Sequence, residues 1–353
     1  MADGGLVQFA RIARRSGGAD LRYALRVLRM VFRYVSLAPW RWAQRWRLWR
    51  RPSPALGEDP VFVLGHWRSG TTYLQGLLGA DPRHTTPTLF TSLFADVATC
   101  RWLGSLMNVV ARVLRLRHAI QRQALDLRVP AEGDIGLCLG LVSEHAYTWG
   151  HVFPRAFGAW LERYVFAPTP EAVEGWLGDY DRLLRRVSAL AGGRRVVVKS
   201  PGDTARIPWL LARYPRARFV YLHREPLEVY HSTHYLWSVI RGEYALQRVD
   251  DEAVHRAIVD TYARLLRRYL EDRERIPAGQ LVELRYEALR RDGPAALAGV
   301  YAGLGLGPVP GEVLAALRPA HAPTRYPAAP ALEQELREAW GFAYEAWPEE
   351  AVA

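Results

Sequence analysis

The sequence of 353 residues contains two cysteines and a single lysine. Two thiols, Cys100 and Cys138, exclude a disulfide-stapled scaffold and a zinc site built from thiolates, and they suit a reducing compartment. No apolar run reaches the roughly 18 residues that a membrane-spanning helix needs. The first twenty residues also lack the apolar stretch of a secretory signal peptide. We therefore expect a globular cytoplasmic protein.

The positive charge of the chain is concentrated at its N-terminus. The formal net charge is +11, and residues 1–51 hold twelve arginines against two acidic residues, Asp3 and Asp20. The rest of the chain is close to neutral, which argues against a nucleic-acid-binding surface. Because almost every basic residue is an arginine, the one lysine, Lys199, is a candidate for a site that needs a compact ammonium group.

Residues 1–50 form a basic, amphipathic extension rich in tryptophan and arginine. The spacing predicts a helix over 20–35 with Asp20 as its N-cap and with two neighbouring stripes. The arginine stripe comprises Arg22, Arg26, Arg29 and Arg33, and the apolar stripe comprises Leu21, Leu25, Leu28, Phe32 and Val35. Two interpretations stay open. Residues 20–50 contact an anionic membrane peripherally at its inner face, or the helix packs on the protein with its arginines in solvent.

A Pro-rich linker, residues 51–60, leads into a body of residues 61–347, and residues 348–353 form a short tail. Short apolar runs that alternate with helical patterns predict an α/β fold, a three-layer α/β/α arrangement around a central parallel sheet. The predicted strands are 61–65, 195–199, 218–223 and 281–286. The predicted helices are 73–78, 89–128, 135–142, 171–191, 204–214, 227–241 and 252–275. Polar motifs follow three of the strands, so we expect these motifs to meet at the carboxyl edge of the sheet.

The first of these motifs, Gly65–Thr72 (GHWRSGTT), lies between a predicted strand and a predicted helix. Backbone N–H groups and the helix dipole at such a turn form a cradle for an anion. The motif resembles the nucleotide-binding P-loop, but Thr71 occupies the position of the lysine that reaches the β- and γ-phosphates. This loss argues against a nucleoside triphosphatase or an ordinary kinase.

The residues around this loop resemble the bacterial branch of the sulfotransferases that use 3′-phosphoadenosine 5′-phosphosulfate (PAPS). The stretch VFVLGHWRSGTTYLQGLL is similar to their 5′-phosphosulfate loop, and YLHREP with Ser232 is similar to their 3′-phosphate signature. The segments VVVKSPGDTARI (196–207) and RYEAL (285–289) resemble two further elements of the family, and WGF (340–342) resembles a common C-terminal ending. The resemblance covers residues 60–347 and implies the P-loop-like sulfotransferase fold.

The resemblance implies a role for each matching residue. Arg224 and Ser232 would bind the 3′-phosphate, and Tyr286 would lie near the nucleotide. Lys199 and Arg68 would stabilise charge on the transferring sulfuryl group. The loop residues expected to bind the donor are His66, Trp67, Arg68, Ser69, Gly70, Thr71 and Thr72. The product would be 3′-phosphoadenosine 5′-phosphate (PAP), and no metal ion is expected.

Three residues are candidates for the general base. An acidic cluster found in many bacterial relatives resembles Glu132-Gly133-Asp134, and we predict Glu132 as the base. Asp134 is the next candidate, although a carboxylate just before a helix can instead serve as an N-cap. His66, inside the loop, is a third candidate because imidazole titrates near neutral pH.

These observations together predict a PAPS-dependent O-sulfotransferase. The acceptor is a hydroxyl of a lipid or glycolipid, a carbohydrate or a secondary metabolite, and the basic extension favours a lipid at a membrane surface. Two alternatives are an atypical P-loop phosphotransferase and a non-catalytic, membrane-associated protein that keeps the fold. The oligomeric state cannot be read from the sequence.

Overall fold

A five-stranded parallel sheet lies at the centre of the protein. The computed structural model describes residues 4–50, 54–94, 109, 126–318 and 329–347. The strands are β1 (Val61–Leu64), β2 (His84–Thr85), β3 (Arg195–Lys199), β4 (Arg218–His223) and β5 (Leu281–Arg285). Their order is β2-β3-β1-β4-β5, and every neighbouring pair is parallel. The predicted α/β class with a central parallel sheet is confirmed, and the short edge strand β2 is an addition to it.

The sheet is buried on both faces, and its central strand β1 is apolar at every position. In β1, Phe62 and Leu64 pack into one hydrophobic cluster, whereas Val61 and Val63 pack into the other. Side chains of a strand alternate between the two faces of the sheet, so an all-apolar strand needs a layer of helices on each side. The two clusters are the two interfaces of a three-layer α/β/α fold.

The helices connect the strands and cover the two faces. They are α1 (Gly4–Arg15), α2 (Ala24–Ser36), α3 (Ala38–Arg50), α4 (Thr71–Gly79), α5 (Leu89–Leu93), α6 (Gly133–Ile135), α7 (Trp149–Val152), α8 (Phe157–Leu161), α9 (Pro170–Leu190), α10 (Ile207–Arg213), α11 (Pro226–Tyr244), α12 (Asp251–Asp272), α13 (Tyr286–Arg291), α14 (Gly293–Gly303), α15 (Gly311–Ala315) and α16 (Pro330–Ala346). Two π-helical turns, Gly136–Gly140 and Glu162–Phe166, continue α6 and α8.

The structure differs from the predicted helices at two places that matter for the site. The helix predicted over 89–128 ends at Leu93, and residues 126–128 are not helical. Most of that prediction, including Cys100, lies outside the described residues. The helix predicted over 204–214 is split, because Pro201–Ala205 forms a 3₁₀ turn before α10. A proline at the start of each piece favours two short helices over one continuous helix.

The N-terminal helix α1 packs on the body. Ile12 is fully buried in the larger core cluster, and the ring of Phe9 lies 6.0 Å from that of Trp149. Arg11 and Arg15 both form ion pairs with Glu144. Asp20 does not cap a helix through its side chain, and it binds Arg155 and the backbone N–H of Arg248 instead.

Candidate active site

Three polar motifs meet at the carboxyl edge of the sheet, as their positions after neighbouring strands predict. β1 lies between β3 and β4, so the loop after β1 is flanked by the residues that follow the other two strands. The expected convergence is therefore present. Thr204 links two of the motifs, because its hydroxyl accepts a hydrogen bond from the N–H of Gly65 over 2.9 Å.

The loop after β1 has a tightly wound backbone. Gly65, Arg68 and Gly70 all have positive φ angles, of 138°, 66° and 96°. Arg68 is not a glycine, so its left-handed conformation is strained and must be maintained by its surroundings. A Cβ atom at Gly70 would lie 2.4 Å from the ring of Tyr286, and one at Gly65 would lie 2.6 Å from the carbonyl oxygen of Leu222. Only glycine allows this backbone to come so close to its neighbours.

The loop also leads directly into α4, whose N-terminal N–H groups lack partners within the helix. A loop of this shape before a helix is suited to hold a phosphate or sulfate group. Thr71 is buried at the first turn of α4, whereas Thr72 is exposed. Ser69 is buried, and its hydroxyl donates to the carbonyl oxygen of His66 over 2.8 Å.

The side chains of His66 and Trp67 point away from this cradle into the aromatic core. Trp67 packs edge-on against Tyr147, His151 and Trp237, and His66 packs against Tyr262. Burial lowers the pKa of His66 to about 3, so the imidazole stays neutral at physiological pH. Its position and its pKa both argue against His66 as a general base. These two residues can reach an anion in the loop through their backbone N–H groups.

Arg224, Ser232, Arg68 and Tyr286 form a cluster beside the loop. The Arg224 guanidinium donates to the carbonyl oxygen of Arg68 over 3.1 Å and lies 4.7 Å from the centre of the Tyr286 ring. The Nε–H of Arg68 donates to the hydroxyl of Ser232 over 2.7 Å. Glu228, one turn into α11, pairs with Arg224 and holds its guanidinium. Two arginines and a hydroxyl so close together are a donor set suited to a phosphate dianion.

Lys199 and Glu132 form an ion pair on the other side of the loop. Lys199 ends β3, and its Nζ lies 2.6 Å from Oε1 of Glu132. The side chain of Lys199 is only 4% exposed, and that of Glu132 is 16% exposed. Residues 67 positions apart in the sequence thus bring a cation and a carboxylate together at the sheet edge. When an anionic group is transferred to a hydroxyl, an ammonium group can stabilise the negative charge and a carboxylate can take the proton of the hydroxyl.

Asp134 has a structural role in this arrangement. It is fully buried, and its carboxylate pairs with Arg206 over 2.8 Å and accepts a hydrogen bond from Ser200 over 2.5 Å. Arg206 is fully buried as well and also pairs with Asp203 over 3.1 Å. These contacts occupy the Asp134 carboxylate, which argues against it as a base. The N-cap prediction for Asp134 is wrong, because Asp134 lies within the short helix α6 that follows Glu132.

The buried network around Arg206 is the part of the site that the sequence analysis missed. Asp203 accepts a further hydrogen bond from Tyr180 over 2.6 Å, and burial, with the Asp134 carboxylate nearby, raises its pKa. The sequence feature that indicates this network is the i, i+3 spacing of Asp203 and Arg206, which permits an ion pair, on a segment that follows a buried strand. Because Ser200 follows Lys199 and Asp134 lies two residues after Glu132, this network fixes the positions of both members of the ion pair.

The described residues contain neither a metal-binding cluster nor a membrane-spanning helix. No group of three or more His, Cys, Asp or Glu side chains in the described ranges is arranged to hold a metal ion. Within the same part of the chain, no helix combines the length and the apolar character needed to cross a membrane.

Comparison with known proteins assigns this arrangement to a family. A sequence model of the sulfotransferase family matches residues 60–309. The omega-hydroxy-beta-dihydromenaquinone-9 sulfotransferases Stf3 of Mycobacterium bovis and Mycobacterium tuberculosis are each 31% identical to this chain over 254 residues. The match covers 71% of this chain and 64% of each relative, so it spans slightly less than two thirds of the relatives' length.

Two solved structures have a similar fold. The sulfotransferase STF9 from Mycobacterium avium superimposes with a TM-score of 0.66 at 19% identity, over 86% of this chain and 81% of that chain. The sulfotransferase STF1 from Mycobacterium tuberculosis H37Rv has a TM-score of 0.60 at 21% identity, over 77% of this chain and 74% of that chain. At these identities the likeness concerns the fold.

Proposed function

Since the chain belongs to the sulfotransferase family, we propose that it transfers a sulfuryl group from PAPS to a hydroxyl group of an acceptor and releases PAP. The observation that carries the proposal is the meeting of the phosphate loop, the Arg224–Ser232 cluster and the Lys199–Glu132 pair at one sheet edge. PAPS has a 5′-phosphosulfate and a 3′-phosphate but no γ-phosphate. A loop with Thr71 in place of the lysine of nucleoside triphosphatases therefore suits it.

The residues present fit this donor. The glycine-lined cradle at Gly65 and Gly70 leaves space and backbone donors for the 5′-phosphosulfate. Arg224 and Ser232 would hold the 3′-phosphate, and Tyr286, which packs on both Gly70 and Arg224, would support the two sites together. The side chain of Arg68 binds Ser232, and its backbone is part of the phosphate loop. Arg68 therefore connects the two anion sites.

The chemistry assigned to the chain follows from the ion pair. The acceptor oxygen bonds to sulfur, the bond from sulfur to the bridging phosphate oxygen breaks, and the acceptor proton leaves. We assign Lys199 to stabilise the negative charge that grows on the departing oxygens. Glu132 would orient the acceptor hydroxyl and take its proton. The contact between them places the ammonium and the carboxylate at the same point of the sheet edge, where both can reach the transferring group.

For the acceptor we propose the hydroxyl of an apolar small molecule or lipid. The relatives that share 31% identity are named for an omega-hydroxy-dihydromenaquinone. The apolar and basic N-terminal segment supports the same class of acceptor for this chain. Transfer of ³⁵S-sulfate from labelled PAPS should therefore favour a long-chain isoprenoid alcohol over a monosaccharide, and the opposite preference would exclude the lipid class.

Binding of PAP tests the donor assignment without knowledge of the acceptor. A ligand at 100 times its dissociation constant stabilises the folded protein by about 2.7 kcal/mol, which raises the unfolding midpoint by several degrees. We expect this rise with PAP and none with AMP. In Arg224→Ala the PAP-induced rise should be lost, because the 3′-phosphate loses its guanidinium partner.

Arg256→Ala is the matched control for this experiment. Arg256 forms an i, i+4 ion pair with Glu252, as Arg224 does with Glu228, but it lies on the exposed surface of α12. This variant should keep the full response to PAP. Stabilisation by Mg-ATP and none by PAP would instead point to a P-loop phosphotransferase.

Replacement of Glu132 by glutamine tests the base. We expect the turnover number to fall by about 10²–10⁴-fold, because the amide keeps a hydrogen-bond acceptor for Lys199 but cannot take a proton. PAP binding should be unchanged. Glu144→Gln is the control, since Glu144 is ion-paired and 19% exposed, close to the 16% of Glu132. A turnover number for Glu132→Gln within threefold of the parent would assign the base to another group.

A further inference from the structure

Helix α2 presents an apolar face to solvent. Leu25, Leu28, Phe32 and Val35 are 70%, 67%, 73% and 51% exposed, and Leu21, just before the helix, is 90% exposed. Their spacing of three or four residues places them on a single stripe. A soluble protein rarely leaves so many large apolar side chains exposed together, so such a patch marks an interaction surface.

The opposite side of α2 is held against the body. Val27 and Met30 pack on the main core, together with Tyr23 before the helix. Arg26 donates to the carbonyl oxygens of Gly242 and Ala245 at the end of α11. Arg33 donates to the carbonyl oxygens of Leu93 and Leu139, over 3.0 and 3.2 Å.

These contacts change the interpretation of the arginine stripe. Helix α2 packs on the body, as the second interpretation expects, but Arg26 and Arg33 bind backbone carbonyls of the body instead of pointing only into solvent. Carbonyl groups at helix C-termini carry partial negative charge, which favours cations there. The arginines thus set the rotation of the helix, and this rotation turns the apolar stripe outward.

The segment that carries the apolar stripe is strongly basic in sequence. Residues 21–51 contain nine arginines and no acidic residue. Trp40, Trp42 and Trp46 in the next helix, α3, are each more than half exposed. Exposed tryptophans and arginines beside an apolar helix face match the boundary between lipid headgroups and acyl chains.

We propose that the exposed face of α2, with the tryptophans of α3, docks on the surface of an anionic membrane. The apolar stripe enters the headgroup region, and the exposed Arg22 and Arg29 beside it bind the lipid phosphates. A second copy of the chain is a poorer occupant, because a symmetric interface would bring two such basic segments together. This proposal concerns binding and does not depend on the reaction catalysed.

Helix α2 also contacts the segment that carries Glu132. Arg33 donates to the carbonyl oxygen of Leu139, which lies seven residues after Glu132 in the sequence. The inference that the acceptor is delivered from the membrane rests on the proposed function.

Co-sedimentation of the purified full chain with vesicles tests the docking. We expect strong binding to an equimolar mixture of phosphatidylcholine and phosphatidylglycerol, and at least tenfold weaker binding to phosphatidylcholine alone. Raising the ionic strength should weaken the binding, because the arginine contacts are screened. In the double variant Leu25→Gln/Phe32→Gln, affinity for the anionic vesicles should fall at least tenfold, whereas PAP-induced stabilisation should stay unchanged.

Leu314→Gln serves as the control, because Leu314 is an exposed leucine, at 40%, on the separate helix α15. It should bind vesicles as the parent does. Equal binding of the double variant and the parent would overturn the proposal. A concentration-dependent dimer in analytical ultracentrifugation, abolished by the double variant, would assign the face to a second copy and overturn it as well.

Discussion

Replacing Lys199 by methionine is expected to lower the rate of sulfuryl transfer by about 10²–10³-fold, the usual effect of removing one group that stabilises transition-state charge. Affinity for PAP should fall by less than tenfold, because the Arg224 cluster and the loop keep their contacts. Single-turnover rates with labelled PAPS, together with thermal unfolding with and without PAP, separate the two effects. A rate within tenfold of the parent would remove Lys199 from the mechanism.

The loss of Lys199 also leaves Glu132 without its ion-pair partner, which could disturb the fold by itself. The double variant Lys199→Met/Glu132→Gln removes both charges and controls for this, since no carboxylate is left unpaired. It should unfold close to the parent and remain inactive.

Replacing Arg206 by methionine is expected to lower the free energy of unfolding by about 3–5 kcal/mol, the cost of breaking a buried ion pair at one partner. The variant would leave the carboxylates of Asp134 and Asp203 buried without their cation. It would also remove the stacking of the guanidinium on Trp176, 4.0 Å from its ring centre. Urea denaturation with a conformational probe measures the change.

Arg213→Met is the matched control, because Arg213 ends α10, the helix that begins directly after Arg206, and its side chain is 42% exposed where it pairs with Asp181 over 2.9 Å. Asp181 keeps Arg185 and Tyr214 as partners, so this variant should lose about 0–1 kcal/mol and be nearly as stable as the parent. Similar stability losses in the two variants would show that burial of Arg206 has no special energetic role. Activity of any folded Arg206→Met protein should also fall, since Ser200 and Asp134 position Lys199 and Glu132.

Much of the fold could be read from local patterns. The apolar runs VFVL and RFVYLH form strands within one residue of their predicted ends, because only a strand buried on both faces needs such continuous apolar sequence. The edge strand β2 was missed, since His84 and Thr85 are two residues with no periodicity to detect. The π-helical turn at Gly136–Gly140 was equally invisible, because it is set by packing.

The site was predictable where a motif is contiguous. The Gly65–Thr72 loop and the Arg224–Ser232 segment could be recognised because each lies on one stretch of chain, and the single lysine stood out by composition. For the candidate bases, the alternatives Glu132, Asp134 and His66 could not be separated from sequence. Their distinction depends on burial and on partners contributed by distant segments: Lys199 for Glu132, Arg206 for Asp134 and Tyr262 for His66.

The sequence by itself therefore determined the sheet, the loop and the chemical type of the site, because short-range patterns encode strands, turns and anion-binding motifs. The tertiary structure alone decided which carboxylate faces the lysine and which face of α2 meets solvent. Both depend on long-range contacts. Lys199 reaches from the end of β3 to Glu132, and Arg26 and Arg33 bind carbonyl groups from three separate segments of the body. The spacing of residues predicts which side chains share a face of a helix. The contacts of the helix with the rest of the protein decide which face is exposed to solvent.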